Sequence, residues 1–364
     1  MKDKAHEKNK NVEFVIMPLV NPTFDRDTID LEEIKRISSR GLDGCPPEDR
    51  ALAWLSMLHT YPLNPMDWKN VLDASYDSYW MYVKEYHLDD WHKKQIPNQC
   101  PRDIYGLHNN SQMAIIHGDI VRTGRIIFFF PPKPIEGAVQ EDAEDMIFQF
   151  GEHARRLERV LYIFSTLNPG FGYMQGYNEL LPPFYYVLLQ AQALLGCSID
   201  RIESLAFQCF QTLLVSTTLH ELYMTGHKSE VILHKLNDFS ILLQKHLPLV
   251  HAKIEKLGIH PLLYCYRWYN LLFSQEHDLP FLLPIWDALF SHFDELVDYS
   301  FYVGLGHIKM VEEQILKGDY GTVLSSLQRM ENLEVKSILA FSNMCWEKDH
   351  VKQKSGFMAK LFGN

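Results

Sequence analysis

The sequence predicts an all-α fold, and three observations support that prediction. Apolar residues recur at helical spacing along most of the 364 residues. No stretch shows the sustained alternation of apolar and polar residues that marks a strand; residues 126–130 could form a short extended piece, but one strand makes no sheet. The composition, 46% hydrophobic and 22% charged, is typical of a globular chain. At this length we expect a helix array that divides into two packed subdomains.

Helix signals follow one another along the chain. An amphipathic pattern over 31–40 ends at Gly41, a common stop residue. Pro46 and Pro47 open a second helix, and a long aromatic-rich helix follows Asn64. Further helices are predicted at 112–124, 143–167, 176–195, 201–222, 228–246, 261–274, 281–292, 295–316 and 332–347.

These signals divide the chain into three parts. Residues 1–38 are predicted to form an N-terminal arm, loosely attached up to about residue 30, and a short helix. Residues 39–316 form the main helical domain, with an N-terminal subdomain to about residue 175 and a C-terminal subdomain after it. Residues 317–364 are predicted as C-terminal helices and a tail, which becomes loosely attached after about residue 348.

Charge and cysteine content argue against several classes of protein. Thirty-five Lys and Arg residues against 46 Asp and Glu residues give a net charge of −11, so we expect no nucleic-acid partner. The six cysteines are widely spread and form no CxxC pair, which fits reduced thiols in a cytosolic protein. The N-terminus lacks the apolar stretch of a signal peptide.

Two segments were weighed for contact with a membrane. The uncharged stretch 180–199 has about the length of a bilayer crossing, but it contains Pro182, Pro183 and two glutamines, so we interpret it as a buried core helix. The tail 352–364 combines lysines with Phe357 and Phe362. It could form a weak membrane-surface helix, and a frayed or docked terminus is the alternative.

Motifs for nucleotide or metal binding are missing from the sequence. It contains no GxxxxGK[ST] phosphate loop, no HExxH, no EF-hand loop and no GxSxG elbow. Two pairs of histidines are five residues apart, which does not place them on one helical face, and neither pair has zinc-type partners close by. We therefore expect neither a metal nor a cofactor in this chain.

Three short segments carry residues that could act chemically: Arg50-Ala-Leu-Ala-Trp54, Ile116-His-Gly-Asp119-Ile-Val-Arg122-Thr123 and Gly172-Tyr173-Met174-Gln175-Gly176-Tyr-Asn178-Glu179. Asp119 and Arg122 are three residues apart, so on a helix they share a face and can pair. Taken alone, this is also the pattern of an ordinary surface ion pair. Likewise, Gln175 could be a simple turn residue, although the flanking glycines permit backbone angles that aim its side chain outward.

In this order, the three segments resemble the RxxxW, IxxDxxR and YxQ motifs of the Tre-2/Bub2/Cdc16 (TBC) domain family, whose members are GTPase-activating proteins for Rab GTPases. Smaller matches are Asn168-Pro-Gly, Arg267-Trp268, Ser274-Gln-Glu and Ile285-Trp286-Asp287. The resemblance covers roughly residues 40–316. Within the family, the layout is similar to a compact single-domain type.

The resemblance implies a role for each motif residue. Arg122 matches the arginine finger, and Gln175 matches the glutamine finger, which replaces in trans the water-positioning glutamine of the GTPase. Asp119 matches the residue that steadies the arginine. Tyr173 would pack beneath the glutamine loop or contact the GTPase directly. The other motif residues would be structural: Arg50, Trp54, Ile116, Arg267, Trp268, Trp286 and Asp287.

The implied partner is a Rab-family small GTPase in its GTP-bound state. That GTPase would bring GTP and Mg²⁺, so this chain would need no cofactor and would perform no catalysis of its own. The protein would then regulate vesicle trafficking as a monomer. It would be cytoplasmic, and a peripheral position on endomembranes is also open. Two alternatives remain: a catalytically silent scaffold that binds a GTPase or an adaptor, and an unrelated helical interaction array. The presence of both Arg122 and Gln175 favours activity.

Overall fold

A computed structural model describes residues 13–21, 27–94, 110–137, 146–224, 230–330 and 333–362. Within these ranges every regular element is helical, as predicted, and no strand occurs. The first ten α-helices are α1 (Met17–Val20), α2 (Leu31–Ser38), α3 (Pro47–Met57), α4 (Trp68–Glu85), α5 (Asn110–Ile120), α6 (Gly124–Ile127), α7 (Gly151–Leu167), α8 (Tyr177–Gln190), α9 (Gln192–Leu195) and α10 (Ile199–Ser216).

The C-terminal half continues the array. Its α-helices are α11 (Glu221–Met224), α12 (Glu230–His246), α13 (Pro248–Leu257), α14 (Tyr266–Asn270), α15 (Leu279–Ser291), α16 (Leu296–Met310), α17 (Glu312–Lys317), α18 (Tyr320–Gln328) and α19 (Val335–Phe362). Short 3₁₀ turns occur at Pro65–Asp67, Trp91–Lys93, Met146–Phe150, Thr218–His220, Pro261–Leu263 and Phe293–Glu295.

Helix ends differ from the prediction in several places. The single helix expected over 112–124 is divided, because the backbone after α5 tightens: the N–H groups of Arg122 and Thr123 bond carbonyls only three residues earlier. The piece at 126–130 that could have been extended begins as the helical turn α6. At the C-terminus, α19 continues to Phe362 instead of ending at 347.

The helices pack around two central helices. In the N-terminal half α7 contacts α4, α5, α8 and α10, and in the C-terminal half α16 contacts α12, α14, α15 and α19. Helix α15 also packs on α2 and α3, so it connects the halves. Buried apolar side chains form one continuous cluster from Ile16 to Cys345. Because α8 packs against α3 and α7, the core crosses the subdomain boundary expected near residue 175, and that boundary stays a prediction.

The stretch that was weighed as a membrane crossing lies largely in the core. Residues on all sides of α8 are buried, including Pro182 and Pro183, and a short separate helix, α9, follows it. This is the buried core helix that the sequence predicts. Among the described helices, none is both long enough and apolar enough to cross a bilayer.

Asp287, a fully buried residue of α15, ties the first and last parts of the core together. Its carboxylate accepts hydrogen bonds from the backbone N–H of Leu42 at 2.8 Å, from Arg50 Nε at 3.0 Å and from Trp54 Nε1 at 2.7 Å. Burial raises the pKa of Asp287, and the adjacent Arg50 guanidinium opposes that rise. Arg50, Trp54 and Asp287 thus meet in the core, and the structural roles that the resemblance implies for them stay a prediction.

Residues near both ends of the described part of the chain make contacts with the core. Near the N-terminus, the Asp49 carboxylate accepts the backbone N–H groups of Val15 at 2.6 Å and Met17 at 2.9 Å, so this part of the arm is held in place. Near the C-terminus, Asp349 of α19 accepts hydrogen bonds from His246 at 2.9 Å and pairs with Lys245 at 2.7 Å. The tail side chains weighed for membrane contact, from residue 352 onward, lie outside the described side chains.

Three tryptophans provide a test of this packing. Trp54, Trp268 and Trp286 are at most 2% exposed. Replacing any one of them with alanine leaves a large cavity, so we expect the free energy of unfolding to fall by about 3–5 kcal/mol. Urea denaturation measures the loss, and Tyr320→Ala, at an aromatic residue that is 46% exposed, is the control with little expected change. Tryptophan variants that unfold at the wild-type urea concentration would contradict the packing.

Candidate functional site

The segment formed by α5 and the turn after it presents Arg122 to solvent. Ile116 and Ile120 are fully buried in the core, which turns the opposite side of the segment outward. Asp119 is only 5% exposed, whereas the Arg122 side chain is 69% exposed. Arg122 Nη2 donates to Asp119 Oδ1 at 2.5 Å. The carboxylate therefore holds the guanidinium at the surface, as expected from the spacing of the two residues.

The loop before α8 presents Gln175, which is exposed. Gly172 and Gly176 both have positive φ, +63° and +108°, which glycine adopts without strain. Behind the loop, Tyr173 donates its hydroxyl proton to Asp119 Oδ2 at 2.8 Å. Burial and the Asp119 charge raise the pKa of Tyr173, so this hydroxyl stays a donor. Asp119 thus uses one oxygen for Arg122 and the other for the glutamine loop.

Arg122 and Gln175 line the same open groove, of about 480 Å³. The groove therefore brings together the two residues that the sequence singled out for chemistry. The other lining residues are Asp119, Met174, Gly176, Asn178, Glu179, Tyr223, Tyr266, Asn270, Leu271 and Gln275. None of the three buried tryptophans lines it.

Glu179 lines the groove, and Arg125, which does not, contacts the loop 275–278. Burial raises the pKa of Glu179, while a hydrogen bond from Gln275 and the charge of Arg125 counteract the effect. Arg125 also donates to the Gln275 carbonyl at 2.8 Å and pairs with Asp278 at 3.0 Å. These contacts attach one wall of the groove to the segment that follows Arg122.

Two further motif residues, Arg267 and Trp286, contact the segment next to this wall of the groove. Arg267 bonds both carboxylate oxygens of Glu276, at 2.7 and 3.0 Å. Trp286 Nε1 donates to the Leu272 carbonyl at 2.9 Å. Leu272 and Phe273 both have positive φ, +47° and +65°, a conformation that costs energy for residues with a side chain. The packing of these buried residues and the bond from Trp286 maintain the unusual backbone.

The groove residue Asn178 and its buried neighbour Thr123 belong to the quoted motifs but received no role from the sequence. Asn178 Oδ1 accepts the backbone N–H of Gly176 at 3.1 Å, and Asn178 Nδ2 donates to Thr123 Oγ1 at 2.8 Å. Both side chains are buried, Asn178 at 7% and Thr123 at 2% exposure. The only signal for a role of Asn178 is that a polar residue stands in the first turn of the apolar helix α8.

The inner side of α5 contacts the buried carboxylate of Glu158, which nothing in the sequence indicated. His117 Nδ1 lies 2.7 Å from Glu158 Oε1, and Glu158 Oε2 accepts hydrogen bonds from Trp91 at 3.0 Å and Arg155 at 2.6 Å. Glu158 and Arg155 are fully buried on α7. Within the described ranges, no group of three or more His, Cys, Asp and Glu side chains could hold a metal ion.

Comparison with known proteins identifies the family. Residues 50–316 match the model of the Rab-GTPase-TBC domain family. Human TBC1 domain family member 13 is 31% identical over 188 residues, which are 51% of this chain and 46% of that protein. Human TBC1 domain family member 22B is 25% identical over 321 residues, 84% of this chain and 55% of that protein. The chain spans about a third to about a half of the curated relatives it matches.

Solved structures show the same fold. The crystal structure of the Ypt/Rab-GAP domain of Gyp1p superposes with a TM-score of 0.68, covering 92% of this chain and 98% of that domain at 20% identity. A Chlamydomonas flagellar RabGAP TBC domain gives a TM-score of 0.55 over 85% of this chain. Since the family model covers most of the chain, including Arg122 and Gln175, this protein belongs to the Rab-GTPase-TBC domain family.

Proposed function

We propose that this chain accelerates GTP hydrolysis by a Rab-family small GTPase in its GTP-bound state, supplying Arg122 and Gln175 to the active site of that GTPase. One observation carries the proposal: in a chain of this family, both side chains are exposed and line a single groove. Acting on a Rab would make the protein a regulator of vesicle trafficking in the cytoplasm or at the surface of endomembranes. We expect it to act as a monomer.

Arg122 suits the charge that develops during GTP hydrolysis. Negative charge spreads over the oxygens of the transferring phosphoryl group, and a planar guanidinium placed there stabilises the transition state. Arginine fingers accelerate hydrolysis by about 10³–10⁵, which corresponds to on the order of 4–7 kcal/mol of barrier. The hydrogen bond that Arg122 donates to Asp119 holds the guanidinium at the edge of the groove, where it can reach into a partner.

Gln175 suits the other requirement of the reaction, a water held in line with the bond that breaks. A neutral amide can donate to one group and accept from the water, so it can orient the nucleophile without adding charge. The GTPase would bring GTP and Mg²⁺, so the proposal assigns no cofactor to this chain.

A surface for the partner also continues beside Arg122. Ile115 lies on α5, seven residues before Arg122, and it is 58% exposed. Gly118 lies between them, and a Cβ added to it would meet only Arg122 Nη1, at 3.9 Å. An exposed apolar side chain and a glycine next to a candidate finger support close approach of a protein partner.

The first prediction concerns Arg122. Arg122→Ala and Arg122→Lys should each lower the stimulated rate by about 10³–10⁵, because lysine cannot reproduce the planar fork. Single-turnover GTP hydrolysis across a panel of Rab GTPases measures the effect. Arg36→Ala is the matched control, since the exposed Arg36 side chain on α2 also pairs at 2.6 Å with an acidic residue three positions earlier. Wild-type protein that binds a Rab without stimulating it would identify a catalytically silent scaffold instead.

The second prediction tests whether Gln175 acts in trans. Gln175→Ala should abolish most of the stimulation while the Kd for the GTP-bound GTPase stays within about twofold, because only a transition-state contact is lost. A cognate Rab whose own catalytic glutamine is replaced by alanine should still be stimulated by the wild-type chain. If that Rab variant bound the chain but was not stimulated, Arg122 would remain as the sole finger.

The third prediction concerns the backbone after Gln175. A Cβ at Gly176 would lie 2.7 Å from Leu271 Cδ2, and φ is +108°, whereas Gly172 has open space around it. Gly176→Ala should therefore displace the glutamine loop, lower the stimulated rate by about 10-fold or more and lower the free energy of unfolding by about 1–3 kcal/mol. Gly172→Ala, with positive φ but no clash, is the milder comparison. Equal rates for the two variants would count against a fixed loop.

A further inference from the structure

The residues that follow the two candidate fingers are joined to each other. Thr123 comes directly after Arg122, and Gly176 comes directly after Gln175. Asn178 bridges them, with Oδ1 accepting from Gly176 N–H at 3.1 Å and Nδ2 donating to Thr123 Oγ1 at 2.8 Å. The link runs through a side chain that is only 7% exposed.

The partners of Asn178 leave one arrangement of its amide. The Gly176 N–H can only donate, so it must face the amide oxygen, and the amide NH₂ then points to Thr123. The Thr123 hydroxyl in turn donates to the Asp119 carbonyl at 2.9 Å. Each donor in this chain of bonds has an acceptor, so the link defines a single geometry between the backbones of the two segments.

We propose that Asn178 and Thr123 are positioning residues that set the distance between Arg122 and Gln175. The inference rests on the proposed function, because two fingers that serve one phosphoryl group must be correctly spaced at the same time. Asp119 connects the segments through its side chain, to Arg122 and to Tyr173. The Asn178 link instead holds the main chain at the base of each finger. An error of about 1 Å in such a position can cost about 10²-fold in rate.

The test removes the Thr123 hydroxyl while keeping the shape of the side chain. We expect Thr123→Val to lower kcat for stimulated hydrolysis by about 10- to 100-fold, with KM for the GTP-bound GTPase changed by less than about twofold. Thr123→Ser keeps the hydroxyl and should restore kcat. Loss confined to kcat, with rescue by serine, is what a purely structural role would not produce.

Thr217→Val is the matched control. Thr217 is also buried, and its hydroxyl donates to the Leu213 carbonyl four residues earlier at 2.6 Å, as Thr123 does to Asp119. The two valine variants should therefore lose similar amounts of Tm, but only Thr123→Val should lose kcat. Equal kcat for the two variants, both near wild type, would overturn the positioning role.

Asn178→Asp provides a second variant from the other side of the link. It keeps an oxygen for Gly176 N–H and removes the NH₂ donor, so we expect the same selective loss of kcat. The double variant with Thr123→Val should lose no more kcat than the worse single variant, because each change already breaks the Asn178–Thr123 bond. Independent, multiplying losses would overturn the link. Wild-type protein that stimulates no Rab would overturn the proposed function and the positioning role together, whereas unaffected variants overturn only the latter.

Discussion

The placement of Arg122, which follows α5, depends on the carboxylate of Glu158, which is buried beneath that helix. Glu158 on α7 has no exposed surface and bonds His117 of α5, Trp91 and Arg155. An ionised carboxylate in the interior costs several kcal/mol unless its oxygens are fully paired. Moving α5 away from α7 would remove one of those partners, so the interior charge keeps α5 in place. Because α5 also borders the groove on its outer side, fixing α5 fixes this side of the groove as well.

A second buried carboxylate anchors α7 itself. Glu203 of α10 accepts hydrogen bonds from Arg156, Arg159 and Tyr79 at 2.5–2.7 Å. Burial alone would raise the pKa of Glu203. The ion pair with Arg159 and the other hydrogen bonds outweigh that effect, so the pKa is lowered. In the sequence, such charges on one helix are typical of a solvated face, since arginine and glutamate are rarely fully buried. Local pattern carries no information about a partner 44 residues away, so this network could not be predicted.

Local periodicity and motif order were sufficient for the fold class and for the two residues that share the groove. The contacts between motifs were not predictable, because they are set by tertiary packing. Asp287 meets Arg50 and Trp54 across more than 230 residues of chain, and nothing near Asp287 indicates those partners. The end of α5 was missed for a similar reason: the tightened turn at Arg122 and Thr123 accompanies the bond from Asn178, 55 residues later.

The bond between Asp119 and Arg122 has a consequence for the entropy of association. An arginine side chain carries about 2 kcal/mol of rotamer entropy, which is lost wherever the guanidinium becomes ordered. Here the carboxylate restricts Arg122 while the side chain is still 69% exposed, so part of that loss occurs when the chain folds. The Arg122 side chain then loses less rotamer entropy when a partner binds. A larger share of the interaction energy is therefore available for affinity or for rate acceleration.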